Sequence, residues 1–199
     1  KESTPLQRAI SPYGATKQMA EEILEHSVKA YSNLNTTILR YFNPIGAHPS
    51  AHIGELPNGV PNNLVPFITQ TAAGIRECLS VFGNDYNTPD GSCIRDYIYV
   101  VDLAKAHVKA VDRMLQEGVR WEIFNLGTGK GLYVLEHVND FIKSTGVKLN
   151  YKIAPRRPGD VEQCWADATK ANQILGWSAD TPIEDVLLSA WKWQCSLNK

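Results

Sequence analysis

Residues 12–41 read PYGATKQMAEEILEHSVKAYSNLNTTILRY. Two periods follow one another there. Met19, Ile23, Leu24 and Val28 recur at helical spacing, which predicts an amphipathic helix over residues 13–31. Glu25 and Lys29 stand one turn apart on its polar side and suit an ion pair. Thr36 to Tyr41 is then a short β-branched and aliphatic run, the composition of a buried strand. A helix that feeds directly into such a strand is the pattern of an α/β domain. The helix also opens on a chemical signal. Tyr13 and Lys17 are four residues apart and share one helical face. An ammonium beside a phenol favours the phenolate, and a tyrosine tuned toward neutrality takes a proton from an alcohol. The same spacing is common in ordinary helices, where both side chains are merely solvated.

Outward from this stretch the alternation of helix and strand continues. Residues 1–12 are polar, carry two prolines and read as an irregular lead-in. Residues 43–61 are broken by Pro44, Gly46, Pro49, Gly54, Pro57, Gly59 and Pro61 into a long loop, of a length that is usually functional or disordered. Helices are expected over 64–73, from a cap at Asp102 to about Leu115, over 132–144, 167–175 and 183–193. Strands are expected at 79–82, 122–126 and 150–154, and residues 97–101 look extended. The turn Gly127-Thr128-Gly129-Lys130-Gly131 is the one candidate for a dinucleotide-binding loop. Its spacing is wrong and no acidic residue closes a ribose site, so it reads as a strand-to-helix turn. The chain is therefore expected to be the later part of a longer protein.

Composition narrows the partners. Twenty basic and twenty-one acidic residues leave a net charge of -1 without blocks of like charge, which argues against nucleic acid and anionic membrane as partners. No apolar run is long enough to span a bilayer and no signal peptide is visible. Cys78, Cys93, Cys164 and Cys195 are widely spaced, which suits neither a disulfide framework nor zinc. His48 and His52 are separated by Pro49, so they make no helical metal pair, and no metal site is expected. A reduced, cytoplasmic protein is the simplest expectation.

A narrower match lies in LRYFNPIGAHPS (39–50), IGE (53–55), PNNL (61–64), VFGNDY (81–86), RDY (95–97), VVDLA (100–104), NLGTG (125–129) and RRPGD (156–160). In these motifs, from about Pro12 to Trp193, the chain resembles the UDP-glucose 4-epimerases of the extended short-chain dehydrogenases and reductases. The resemblance implies a fold: the end of a Rossmann-type, doubly wound parallel sheet (residues 1–45 and about 97–128) with a smaller α/β substrate domain (about 46–96 and 129–199). It implies NAD as cofactor, with Tyr13, Lys17, Tyr41 and Phe42 at the nicotinamide end. Tyr13 would be the base and Lys17 the group that lowers its pKa and binds ribose. It implies a UDP-sugar held by Asn43, Asn63, Leu64, the strand Ser80–Val81–Phe82, the phosphate ligands Arg95 and Arg157, the ribose acceptor Asp160, and Cys164 beside the hexose.

The implied reaction, part of galactose metabolism, interconverts UDP-glucose and UDP-galactose through a 4-keto sugar. The small Cys164 adds the expectation of N-acetylated UDP-hexosamines as substrates. The resemblance also implies a homodimer, and an N-terminal half of the same enzyme carrying the glycine-rich loop and a catalytic serine or threonine. These residues alone are then expected to be inactive. Two other readings stay open at this point: a nucleotide-sugar dehydratase or decarboxylase that begins with the same oxidation, and a non-catalytic nucleotide-sugar-binding fragment.

Overall fold

The computed structural model describes residues 1–116, 118–157 and 159–197. Helix α1 spans Pro12–Ala30. The Ser11 hydroxyl accepts the Gly14 N–H at 3.1 Å and proline stands in the first turn, the arrangement that starts helices. The expected strand follows as β1, Thr36–Tyr41, and lies parallel to β6, Trp121–Leu126, in the register Thr36↔Trp121 to Tyr41↔Leu126. Arg40 on β1 donates from Nε to Glu21 of α1 at 2.8 Å, which fastens helix to strand. The apolar face of α1 is covered only at its end: Val28 is buried, whereas Met19 and Ile23 are more than half exposed. The expected burial of that stripe is not met within these residues.

Two apolar cores organise the rest. One gathers Phe124 and Leu126 of β6 with Ile98, Leu103, Ala106, Ala171, Leu175 and Trp177. Phe124 and Leu126 are fully buried, each contributing roughly 1.5–3 kcal/mol on burial. This core takes in α3, Val100–Met114, and α5, Thr169–Leu175. Residues 171–177 thus pack with β6, although the sequence-based boundary groups them with the substrate domain. The second core joins α2, Leu64–Ala72, α4, Val134–Thr145, and α6, Ile183–Ser196. It also includes β3, Leu79–Phe82, which pairs in parallel with β8, Tyr151–Ala154.

Four short strands escape sequence reading. β2, Asn43–Ile45, lies parallel to β5, Tyr97–Tyr99. β4, Ile94–Arg95, is flanked by antiparallel β7, Leu132–Tyr133, and parallel β9, Gln163–Cys164. Consequently the helix expected from Leu132 begins at Val134, after the strand. Asp102 does not cap α3 either. It lies inside the first turn, 1% exposed, accepting from Lys105 Nζ at 3.0 Å and the Thr181 N–H at 3.3 Å. The parallel pairings and their helices bear out the α/β, Rossmann-type class. Among the described residues no helix is long and apolar enough to cross a membrane, and all four cysteines are free thiols.

Candidate active site

A cavity of about 410 Å³ opens between the loop before α2, strand β3 and the run 93–97. Its walls include eight of the residues selected by sequence. Asn43, Asn63 and Leu64 form one side, Ser80 and Phe82 of β3 another, and Arg95, Arg157 and Asp160 a charged end. On β3, Ser80 and Phe82 line the cavity together with the buried Leu79, while Val81 is 1% exposed within the second core. Val81, selected with them, is not among the residues that line the cavity.

At the charged end, Asp160 joins both arginines. Arg157 Nε donates to it at 3.0 Å and an Arg95 nitrogen lies 3.5 Å away. Arg157 also stacks over the Phe82 ring at 4.8 Å. Two guanidiniums and one carboxylate leave one net positive charge facing the cavity, which suits a phosphate ester. Arg156 belongs elsewhere: its Nε donates to Asp85 at 2.7 Å and its guanidinium lies 3.9 Å from the Tyr86 ring centre. It cannot stand in for Arg157 without breaking both contacts. The neighbouring Pro158 of the RRPGD motif lies outside the described residues.

The sequence reading missed Cys93 and Tyr97, which also line the cavity. The signal was present: residues 93, 95 and 97 are two apart on extended backbone, so they share a face with Arg95. Burial pushes the Cys93 thiol and the Tyr97 phenol up. Behind Tyr97, the fully buried His137 ring of α4 stacks at 4.1 Å between centroids. Among the described residues neither His137 nitrogen has a partner, and burial lowers its pKa to about 4.

The remaining selected residues stand outside this cavity. Tyr13 is 73% exposed on α1, with Lys17 Nζ 5.2 Å from its ring centre. Tyr41 is half-exposed at the carboxyl end of β1, 6.4 Å from the His107 ring, and Phe42 follows with its N–H donating to Leu126. Cys164 is exposed on β9, paired in register with Arg95, and is not among the residues lining the cavity. Among the described residues no group of three or more acidic, histidine or cysteine side chains could hold a metal.

A family profile described as GDP-mannose 4,6 dehydratase matches residues 1–189. The chain belongs to that family. Relatives of this chain carry a different activity in their names. The UDP-glucose 4-epimerase of Bacillus subtilis is 51% identical over 188 residues, covering 94% of this chain and 55% of the relative. The chain thus spans about half the length of the curated relatives it matches. Two solved structures share its fold at 45% identity, each covering 98% of this chain and 58% of the other. One is UDP-glucose 4-epimerase from Stenotrophomonas maltophila with bound NAD and formylated UDP-arabinopyranose, at a TM-score of 0.94. The other is the enzyme from Bifidobacterium longum with NAD+ and UDP, at 0.91. The sequence-based resemblance to UDP-glucose 4-epimerases is borne out by these matches.

Proposed function

We propose that this chain is the UDP-sugar-binding and proton-transfer part of an NAD-dependent UDP-glucose 4-epimerase. The observation that carries the reading is the cavity with its Arg95–Asp160–Arg157 charged end. Two arginines reaching one point suit a pyrophosphate, and Asn43, Asn63 and the β3 edge supply a wall for sugar and base. The names of relatives at half identity favour epimerisation over the dehydration in the family's description. The core around β1 and β6 would belong to the cofactor domain and the core around α2, α4 and α6 to the substrate domain.

Residues of this chain suit the nicotinamide end of NAD. Tyr41 ends a parallel strand and Phe42 follows it, at the carboxyl end where such folds bind ligands. Tyr13 and Lys17 are free on an exposed helix face. When bound, NAD supplies a hydride acceptor and donor for sugar C4. Tyr13 Oη takes the proton of the 4-hydroxyl as the C4–H bond breaks, leaving a 4-keto sugar. It returns a proton to that oxygen when the other face is reduced. The Lys17 ammonium stabilises the phenolate form of Tyr13. Arg95 and Arg157 keep hold of the pyrophosphate while the keto-sugar turns over between the two half-reactions.

The activity would need the segment that lies outside this chain, and the exposed Met19 and Ile23 of α1 suit a cover by that segment or by a second copy in a homodimer. A cytoplasmic setting accords with four free thiols. The test is conversion of UDP-galactose to UDP-glucose by the intact protein, followed by proton NMR, with calorimetry of UDP. Tight UDP binding without epimerisation would leave a binding protein. Loss of water from the sugar would make it a dehydratase.

A further inference from the structure

The glycine-flanked turn at residues 127–129 holds an anion, and the anion is the chain's own Asp96. Asp96 is fully buried. Its Oδ1 accepts the Thr128 N–H at 2.9 Å and the Thr128 hydroxyl at 2.7 Å. Its Oδ2 accepts the Ala166 N–H at 3.0 Å and the Gly129 N–H at 3.3 Å. A Cβ at Gly127 would collide with Oδ2 and with Ala166, which explains glycine there. Three backbone N–H groups and a hydroxyl thus form a nest of the kind that binds phosphate elsewhere. Here it binds a carboxylate from the middle of the cavity wall.

The placement gives this carboxylate leverage. Arg95 and Tyr97, its two neighbours, both line the cavity. Its carbonyl accepts the N–H of Asn43, a third lining residue, at 3.0 Å. Ala166 lies two residues beyond Cys164, and Cys164 is in register with Arg95. The pairing of β4 with β9 is only two residues long, Ile94↔Gln163 and Arg95↔Cys164. Strands this short hold register poorly by themselves. The Asp96–Ala166 bond is the next tie along the same junction.

We propose that Asp96 is a positioning residue that holds its neighbours Arg95 and Tyr97, and through its carbonyl Asn43, in place along the cavity wall. The proposal rests on the reading of the cavity as a UDP-sugar site. Asp96→Asn keeps the shape but turns an amide NH₂ toward N–H donors, whichever way it rotates. Thr128→Val is milder and removes only the hydroxyl from the nest.

The experiment uses the intact protein and measures kcat/KM for UDP-galactose, the Kd for UDP, and the thermal midpoint. Asp96→Asn is expected to lower kcat/KM for UDP-galactose about tenfold and to weaken UDP binding about threefold, because Arg95 and Asn43 shift with the released backbone. Thr128→Val should move both in the same direction by a smaller factor, and it decides the matter if Asp96→Asn does not fold. Lower thermal midpoints with an unchanged Kd and unchanged kcat/KM per folded molecule would overturn the proposal and leave Asp96 a purely structural residue. A wild-type protein that binds no UDP would instead overturn the reading of the cavity.

Discussion

His137 makes a sharp test of the physics beneath the cavity wall. It is fully buried against Tyr97, and among the described residues both ring nitrogens lack partners. Burial lowers its pKa from 6.5 to about 4. In the unfolded chain the ring takes up a proton as pH falls through 6.5. In the folded protein it does so only near 4. The unfolded state therefore binds more protons between those values, and stability falls as pH falls through that window. Above 6.5 the contribution is fully present, and below about 4 the loss levels off. A gap of about 2.5 units corresponds to about 3 kcal/mol in full, and to about 2 kcal/mol between pH 7 and pH 5.

His137→Leu is close in volume and cannot titrate. It removes two unsatisfied buried nitrogens, worth about 1–3 kcal/mol, and forfeits a ring stack worth about 0.5–1.5 kcal/mol. The variant is expected to match or slightly exceed wild type at pH 7 and to exceed it by about 2 kcal/mol more at pH 5. Urea unfolding of the intact protein at both pH values, followed by tryptophan fluorescence, measures this. Trp191 packs edge-on to Phe141 of the same helix and reports locally. Parallel pH dependences for variant and wild type would refute the reasoning, because His137 would then titrate alike in both states.

The other predictions concern the site. Arg95→Ala in the intact protein should weaken UDP binding by about 1.5–3 kcal/mol, read by calorimetry. Arg156→Ala should leave UDP affinity nearly unchanged, since Arg156 serves Asp85 and Tyr86; equal losses from both would show a shared anchor. Tyr13→Phe should cut turnover by on the order of a hundredfold without altering UDP affinity, and near-normal turnover would move the proton to another group. Cys164→Tyr should depress activity on N-acetylated UDP-hexosamines about tenfold relative to UDP-galactose, in line with a loss of about 1–3 kcal/mol for a pocket that no longer fits; an unchanged ratio would mean that Cys164 does not size the pocket.

The long elements were legible because their information is local. The periods in residues 12–41 suffice for α1 and β1, and short runs rich in β-branched, aliphatic and aromatic residues suffice for β3, β6 and β8. Arg95, Arg157 and Asp160, which form the charged end of the cavity, were legible through the motifs that carry the resemblance. Even so, the motif could not separate Val81, turned into the core, from Ser80 and Phe82 on the cavity side.

What the tertiary structure decided are the pairings between distant segments. Ile94 meets Tyr133 on one side and Gln163 on the other, and neither two-residue partner has a periodicity to read. The turn at 127–129 looks from sequence like a failed phosphate loop, and only the fold reveals that Asp96 fills it. Arg156 and Arg157 are adjacent and identical in type, yet one faces Asp85 and the other the cavity. Local propensity determines which segments become helix or strand, because it depends on neighbours within a turn or two. The partner of a buried charge depends on which backbone donors the whole fold brings within 3 Å or so, and no window of sequence contains them.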